Sequence, residues 1–396
     1  MSSTDDNKKR VALQFILLMG VVSLFGDITY EGARSINGPY MAMLGATAGI
    51  VGLVAGIGEF SGYALRLLSG YYADRTRAYW PLTIVGYGLI MSIPLMALAN
   101  NWQVAAVLVI CERMGKAIRS PARDAILSHA TKQVGRGWGF GIHEAMDQIG
   151  AIVGPLIFTA VIIFNGSYRT GFSILWVPAV LTLAMVIAAR MKVPSPEKLE
   201  QPDAVAASAV PASTHLPKVF WLYAVFIFLS VGGFAHFQII SYHLKIRAVV
   251  SDAQIPLFYA IAMGVDGVVA LIIGKAYDKV GLKTLISIPL LTLLIPFFAF
   301  SSSYGFALFG IILWGAVMGI HETVMRAAIA DLIPIARRGS AYGIFNTIYG
   351  VSFLVGSAVM GFLYDKAPGS INAFVVLLEV VSVPILFAVL KELRHR

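Results

Sequence analysis

Acidic and basic residues recur inside long apolar stretches of this sequence, where ionisable side chains are uncommon. The first stretch carries Asp27, Glu31 and Arg34, spaced so that all three share one face of a helix. The second carries Glu59, with Arg66 two helical turns further along. A carboxylate shielded from water can take up and release a proton, and opposite charges can pair. These residues therefore offer three chemistries: proton coupling, contact with a charged substrate, and structural pairing, such as Glu31 with Arg34.

The fourth apolar stretch contains the densest group of charges. Glu112, Lys116, Arg119 and Arg123 follow one another at helical steps, with Asp124 beside them. Residues at such steps form one stripe along a helix, and a charged stripe facing lipid is untenable. We expect the stripe to line a cavity or to contact another charged helix. Lys116 and Arg119 lie deeper in the stretch and are candidates to bind a negative group on a substrate.

The fifth stretch begins with a histidine and two carboxylates, His143, Glu144 and Asp147. Imidazole and carboxylate groups both suit transition metals, so these three residues are weak candidates for a metal site. The alternative is that Glu144 and Asp147 neutralise the arginines of the preceding stretch. The residue pattern favours this second interpretation.

Ionisable residues are sparser in the second half of the chain. His236, Asp266, His321 and Glu322 fall near the middle of their apolar stretches. Histidine titrates near physiological pH, which makes His321 a candidate proton carrier. Glu322 stands four residues before Arg326, and local pairing between these two is the structural alternative.

The apolar stretches are long enough to span a membrane. Of the 396 residues, 58% are hydrophobic and 13% are charged, and the mean hydropathy is +0.78. Soluble domains are about one quarter charged, and a membrane helix needs about 20 apolar residues. We predict an all-α membrane protein with twelve transmembrane helices, at residues 12–44, 49–72, 80–99, 103–130, 138–164, 171–191, 218–246, 254–276, 283–301, 304–332, 340–364 and 371–391.

The basic residues indicate how these helices are oriented. The formal net charge is +9, and most lysines and arginines lie in alternate connections, from Lys8–Arg10 to Arg337. The opposite connections hold Arg169, Arg247 and Lys366. By the positive-inside rule, both termini lie in the cytoplasm and the protein belongs to the inner membrane. This placement accounts for the positive charge without a nucleic-acid partner.

The two halves of the chain resemble each other at an offset of roughly 200 residues. Gly70–Arg75 after the second stretch matches Gly274–Lys279 after the eighth, and Arg123–Ile126 matches Arg326–Ile329. Parallel repeats of six helices are a common transporter plan. We therefore predict six-helix bundles at residues 1–191 and 218–396, joined by a proline-containing cytoplasmic linker at 192–217.

The pattern G-x-x-x-D-R-x-R at Gly70–Arg77 resembles the signature of the major facilitator superfamily. Gly115–Asp124 and Gly141–Asp147 resemble a prokaryotic branch of that family which includes nickel-resistance exporters. Gly150–Pro155 resembles the glycine-proline motif of drug–proton antiporters, which indicates export. The resemblance implies two pseudo-symmetric six-helix bundles and a transport function. It also implies gate residues at Asp74, Arg75, Arg123, Asp124 and Asp278.

Enzyme chemistry is not expected, because the sequence carries no nucleotide-binding glycine loop, nucleophile triad or zinc-ligand spacing. We predict a secondary transporter that works by alternating access and couples protons to the efflux of a small molecule or ion. The predicted alternatives are proton-driven import of a small organic anion and a membrane receptor that does not transport. No cofactor is expected, and the lipid-embedded protein is expected to be a monomer. The predicted substrate and coupling residues are Asp27, Glu31, Arg34, Glu59, Lys116, Arg119, Asp147, His321 and Glu322.

Overall fold

The computed structural model describes residues 3–196, 216–333 and 338–394, which are helical or lie in short connections, with no β-strand among them. Most of the predicted linker (197–215) and the basic residue Arg337 lie outside the described residues. The helices of the first half are α1 (Ser3–Met43), α2 (Ala48–Thr76), α3 (Tyr79–Gly88), α4 (Ser92–Leu95), α5 (Trp102–Val134), α6 (Arg136–Ile163), α7 (Tyr168–Ile174) and α8 (Trp176–Lys192). Those of the second half are α9 (Lys218–Gly233), α10 (Phe237–Ile246), α11 (Gln254–Val280), α12 (Ser287–Thr292), α13 (Ile295–Ala299), α14 (Tyr304–Leu332), α15 (Arg338–Lys366) and α16 (Ser370–Arg394).

The described helices confirm an all-α membrane fold. Ten segments are long and apolar enough to cross a membrane. One of them, Gln254–Ala299, has 46 residues, which suffices for two crossings. Helix α5 has 33 residues but falls outside the ten because its charged stripe interrupts the apolar sequence. With Gln254–Ala299 counted as two crossings and α5 added, the segments of the described residues agree with the twelve predicted helices.

Some predicted helices consist of shorter pieces. The predicted helix 80–99 comprises α3, α4 and two intervening 3₁₀ turns, and 283–301 comprises a 3₁₀ segment, α12 and α13. Pro94 lies in the first region, and Pro289 and Pro296 lie in the second. Proline removes one helical hydrogen bond and favours a local change of helix type.

The seventh predicted helix, 218–246, is confirmed as one spanning segment, but the structure interrupts it between α9 and α10. The backbone is extended at Phe234 and His236. Gly232 and Gly233 precede the break, and glycine is a poor helix former. The Trp314 indole nitrogen donates a hydrogen bond to the carbonyl oxygen of Ala235 at 2.8 Å. Because this backbone is buried and partly bonded by a side chain, it is tolerated within a spanning segment.

The chain divides into two compact units. The first contains the described residues of Met1–Arg34 and Leu65–Ala209, and the second contains those of Ser35–Ala64 and Val210–Arg396. Helices α1 and α2 therefore each have one end in each unit. Residues 35–64, which belong to the first half of the sequence, lie in the second unit.

Two features hold the start of α2 in the second unit. The amides of Ala48 and Gly49 donate to the two carboxylate oxygens of Asp365, at 2.9 and 2.7 Å. The first amides of a helix lack internal acceptors and favour an anion, so Asp365 satisfies this helix end. A side chain at Gly56 would lie 2.8 Å from the Leu354 Cα atom, which shows how closely α2 approaches α15.

In the first unit, α1 and α6 also approach closely at glycines. A Cβ atom at Gly150 would lie 2.6 Å from the carbonyl oxygen of Leu24, and one at Gly154 would lie 2.7 Å from the amide of Gly32. Small residues allow such contacts between membrane helices. The close approach places the carboxylates of α1 and α6 near each other.

Candidate functional site

The charges of α5 converge on a tyrosine of α1 in the first unit. The Lys116 ammonium lies 4.0 Å from the centroid of the Tyr30 ring, and the guanidinium groups of Arg113 and Arg34 lie 4.7 and 5.9 Å away. Arg113 also donates a hydrogen bond to the Tyr30 hydroxyl. Cations are attracted to the face of an aromatic ring, and more strongly where water is excluded. Tyr30 was not predicted as a site residue; its only signal in the sequence is its position four residues before Arg34.

Acidic residues accompany these cations. Arg34 lies 3.6 Å from Glu31, and Glu112 lies 3.6 Å from Arg119 and 4.0 Å from Arg113. All five side chains are buried. Ionic groups removed from water need such partners, so this arrangement compensates the cost of burying the α5 stripe.

Arg119 has further contacts that fix its position. Its guanidinium lies 4.8 Å from the centroid of the Tyr87 ring and 3.5 Å from the carbonyl oxygen of Gly86. The Arg119 guanidinium is therefore held by Tyr87 and Gly86 of α3 and by Glu112 of α5. Lys116, one turn before Arg119 on α5, is half-buried, whereas Arg119 is buried.

Asp27 belongs to the same group of residues. Its carboxyl group interacts electrostatically with Asp147, Lys116, Glu31 and Arg119. Helices α1, α5 and α6 thus bring together six of the predicted residues, which are Asp27, Glu31, Arg34, Lys116, Arg119 and Asp147. A lysine between several carboxylates can exchange partners when a charged substrate or a proton arrives.

Arg123 forms a second polar contact among the same three helices. Its guanidinium lies 2.9 Å from Asp124, 3.1 Å from the Ser23 hydroxyl and 4.0 Å from Asp147. The His143 ring lies 3.6 Å from Asp147. The contact between Arg123 and Asp147 agrees with the interpretation that acids of α6 neutralise arginines of α5.

The metal-binding alternative has less support. His143 is buried, whereas Glu144 is exposed, so these neighbouring residues do not share one environment. Within the described part of the chain, no three histidine, cysteine or acidic residues are arranged to hold a metal ion.

In the second unit, Glu59 pairs with the histidine at the helix break. The Glu59 Oε1 and His236 Nε2 atoms lie 3.3 Å apart, and the two residues are 6% and 1% exposed. His236 Nδ1 accepts a hydrogen bond from the amide of Gln238 and so caps the start of α10. Because Nδ1 is an acceptor, the neutral ring carries its proton on Nε2. This N–H group donates a hydrogen bond to Glu59 Oε1. Glu59 was predicted as a coupling residue; its partner was not.

His321 and Glu322 line a cavity in the second unit. The other residues that line this cavity are Tyr63, Arg326, Phe345 and Tyr349. His321 is buried, with the Phe234 ring centroid 4.9 Å away and the Tyr349 hydroxyl 3.5 Å from Nδ1. Glu322 is exposed. The cavity therefore combines three aromatic side chains with one acid and two basic residues, His321 and Arg326.

Three of the five residues predicted to form a gate lie near helix ends and at the surface, whereas Arg123 and Asp124 lie within α5. Asp74 and Arg75 are exposed in the last turn of α2, and Asp278 is exposed near the end of α11. The Arg75 guanidinium donates a hydrogen bond to the Tyr71 hydroxyl at 3.0 Å. Exposed charges at these positions are free to change partners during a conformational change.

A family model shows where this fold belongs. The model of the Major Facilitator Superfamily matches residues 16–269 and 239–395. The chain belongs to the Major Facilitator Superfamily. It is therefore a multi-pass membrane transporter, as the sequence motifs predicted.

Relatives and solved structures agree with this assignment. An uncharacterized protein of Mycobacterium tuberculosis is 41% identical over 381 residues, which cover 96% of this chain and 93% of that protein. The multidrug resistance protein MdtH of Proteus mirabilis is 27% identical over 152 residues, which cover 38% of this chain and 37% of MdtH. The crystal structure of the nucleoside transporter NupG has a TM-score of 0.71 at 13% identity and covers 96% of this chain and 100% of that one. This last similarity shows the fold alone.

Proposed function

We propose that this transporter couples protons to the export of a small molecule or ion by alternating access, with Glu59 and His236 as the proton-coupling pair. The observation that carries the proposal is the buried contact between these side chains at the break of a spanning helix. Interrupted helices at membrane depth commonly form the ion and substrate sites of transporters.

The pair responds to protons for an electrostatic reason. Ionised Glu59 accepts a charge-assisted hydrogen bond from His236 and lies beside the start of α10, where the helix dipole favours an anion. A proton on Glu59 removes both stabilising effects. The contact between α2 and the helix break is then weaker, so proton binding can shift the balance between two conformations.

The charged cluster of the first unit is the proposed substrate contact. Asp27 and Lys116 interact with each other and with Glu31, and Asp27 also interacts with Asp147. A cluster of nearly balanced charge can accept a cationic group on its acids or an anionic group on Lys116. Its partners would then rearrange within α1, α5 and α6.

Export is proposed from two similarities. Gly150–Pro155 has the glycine-proline pattern of drug–proton antiporters, and the partial relative MdtH is named for multidrug resistance. Within this proposal, the protein is a monomer of the inner membrane with both termini in the cytoplasm. Its six-helix halves are residues 1–191 and 218–396, and the proposed gate residues are Asp74, Arg75, Arg123, Asp124 and Asp278.

The proposal can be tested in everted membrane vesicles that report a proton gradient by dye fluorescence. A panel of drugs, metal ions, nucleosides and organic acids is added to energised vesicles. A transported substrate should dissipate the proton gradient in the wild type. In Glu59→Gln this response should lose its pH dependence, whereas Glu392→Gln, which changes a half-buried acid near the end of α16, should retain it. A Glu59→Gln variant with the wild-type pH profile would refute the coupling role.

Import of a small organic anion is the second candidate, because three cations converge on Tyr30. Counterflow of organic acids in proteoliposomes of known orientation separates the two directions. Accumulation of an organic acid inside the proteoliposomes, driven by an inwardly directed proton gradient, would support import.

A further inference from the structure

Helix α16 contains a carboxylate that the proposed coupling mechanism does not use. Glu379 lies near the middle of the most apolar of the ten spanning segments, Ser370–Leu393. The residue is 1% exposed. An ionised carboxylate in such a place is costly unless a positive charge accompanies it.

The surroundings of Glu379 provide hydroxyl groups and no cation. Oε2 accepts a hydrogen bond from the Ser230 hydroxyl at 3.2 Å and one at 3.3 Å from the Ser382 hydroxyl, which it shares with the Glu379 carbonyl oxygen at 2.8 Å. Oε1 is buried, and within the described residues it has no hydrogen-bond partner. Among the described elements packed against α16, which are α9, α12, α13, α15 and the 3₁₀ segment Gly281–Ile286, no basic side chain interacts electrostatically with this carboxyl group. The site therefore lacks the positive charge that an ionised glutamate needs.

The carboxyl group also lies at the unfavourable end of a helix. Ser230 belongs to the last turn of α9, which ends at Gly233. A Cβ atom at Gly233 would collide with Glu379 Oε1, so this oxygen occupies the space left by the glycine. The last carbonyl groups of a helix lack internal donors and carry partial negative charge. They repel an anion and attract a cation.

We infer that Glu379, the Ser230 and Ser382 hydroxyls and the carbonyl end of α9 form a site for a monovalent cation, either a proton or a sodium ion. Glu379 supplies the negative charge. Oε1, which has no hydrogen-bond partner among the described residues, is the oxygen that binds the cation. Binding is a simple association of the cation with the Glu379 carboxylate, and no covalent bond of the protein is broken. Half-helix carboxyl ends bind such ions in other transporter folds.

This site is distinct from the Glu59 and His236 pair. Glu59 lies beside the amino end of α10, where an anion is favoured, whereas Glu379 lies at the carboxyl end of α9. The helix break thus has one acid that is stable as an anion and one that requires a bound cation.

Infrared spectroscopy of the purified protein in nanodiscs tests the inference without a transport measurement. At neutral pH in choline chloride, the wild type should show a protonated carboxyl band that is absent from Glu379→Gln and present in Glu59→Gln. If sodium is the ligand, replacing choline with sodium should remove the band and raise the melting temperature of the wild type alone. A spectrum unchanged by Glu379→Gln, with no sodium effect on melting, would overturn the inference.

A second set of variants guards against misfolding of Glu379→Gln. Ser230→Ala and Ser382→Ala each remove one donor to Oε2, so each should shift the frequency of the Glu379 band. Ser302→Ala changes an exposed serine and should leave the band in place. Equal spectra for all three serine variants would contradict the site. Because no substrate is needed, this result is independent of whether Glu59 couples transport.

Discussion

The strongest quantitative prediction concerns the coupling energy between Glu59 and His236. Both side chains are buried and lie 3.3 Å apart, so solvent does not screen their interaction. A hydrogen bond to a charged group contributes about 1.5–3 kcal/mol. Removing His236 alone leaves Glu59 buried without this donor, at a cost of about 3–5 kcal/mol.

A double-mutant cycle isolates the pairwise energy. Glu59→Gln keeps a hydrogen-bond acceptor but removes the charge, which should cost about 1 kcal/mol because neutral hydrogen bonds are roughly half as strong. In this background His236→Ala should cost only about 1–2 kcal/mol, the value of a neutral hydrogen bond and the lost cap. The resulting coupling energy is about 2 kcal/mol.

The cycle can be measured by reversible unfolding in mixed micelles at two pH values. The loss of the α10 cap and the volume of the ring are common to both arms of the cycle and cancel. The coupling energy should be largest when Glu59 is ionised and should fall in acid. Additivity within about 0.5 kcal/mol at both pH values would show that the two groups do not interact, and the proposed response to protons would fail.

Three further predictions concern the helix contacts. Asp365→Ala should lower the stability by about 1 kcal/mol, the usual effect of an N-terminal cap, and Asp365→Asn should cost less, as measured by unfolding in mixed micelles. Tyr30→Leu should lower the stability by about 2 kcal/mol because Lys116 loses the aromatic face, whereas Tyr30→Phe should be milder; equal melting temperatures would contradict this. Gly154→Ala should destabilise by about 1–3 kcal/mol through overpacking. Gly264→Ala, at an open helical position, should be neutral or stabilising, and the opposite order would refute the close-packing argument.

The spanning helices could be predicted from sequence because their length and apolar composition are imposed by the bilayer. The break before α10 could not, since its sequence contains glycines but no proline. Its extended backbone depends on a hydrogen bond from Trp314 in a distant helix. Local pattern specifies the helix as a membrane span, and tertiary contacts decide where it is interrupted.

The candidate site was predictable to the extent that it contains charges. Asp27, Lys116 and Asp147 stood out in apolar sequence, and α1, α5 and α6 do bring them together. Tyr30 did not stand out, because an aromatic residue is ordinary in a membrane helix and its role appears only when cations gather on its ring. Glu379 was not among the predicted site residues, because its significance depends on the end of α9 beside it.

The electrostatics of the helix break explain why acids are found on both sides of it. A continuous helix cancels its internal peptide dipoles, and only its two ends carry partial charge. Breaking the helix at Phe234–His236 creates a negative end on α9 and a positive end on α10 within the membrane. Glu59 with His236 lies at the positive end, and Glu379 lies at the negative end. The same acidic group therefore has opposite preferences at the two ends, for the anion at one and for the cation-bound form at the other. Under the two proposals, one interrupted helix is sufficient to give this transporter two ion-binding groups that do not respond alike.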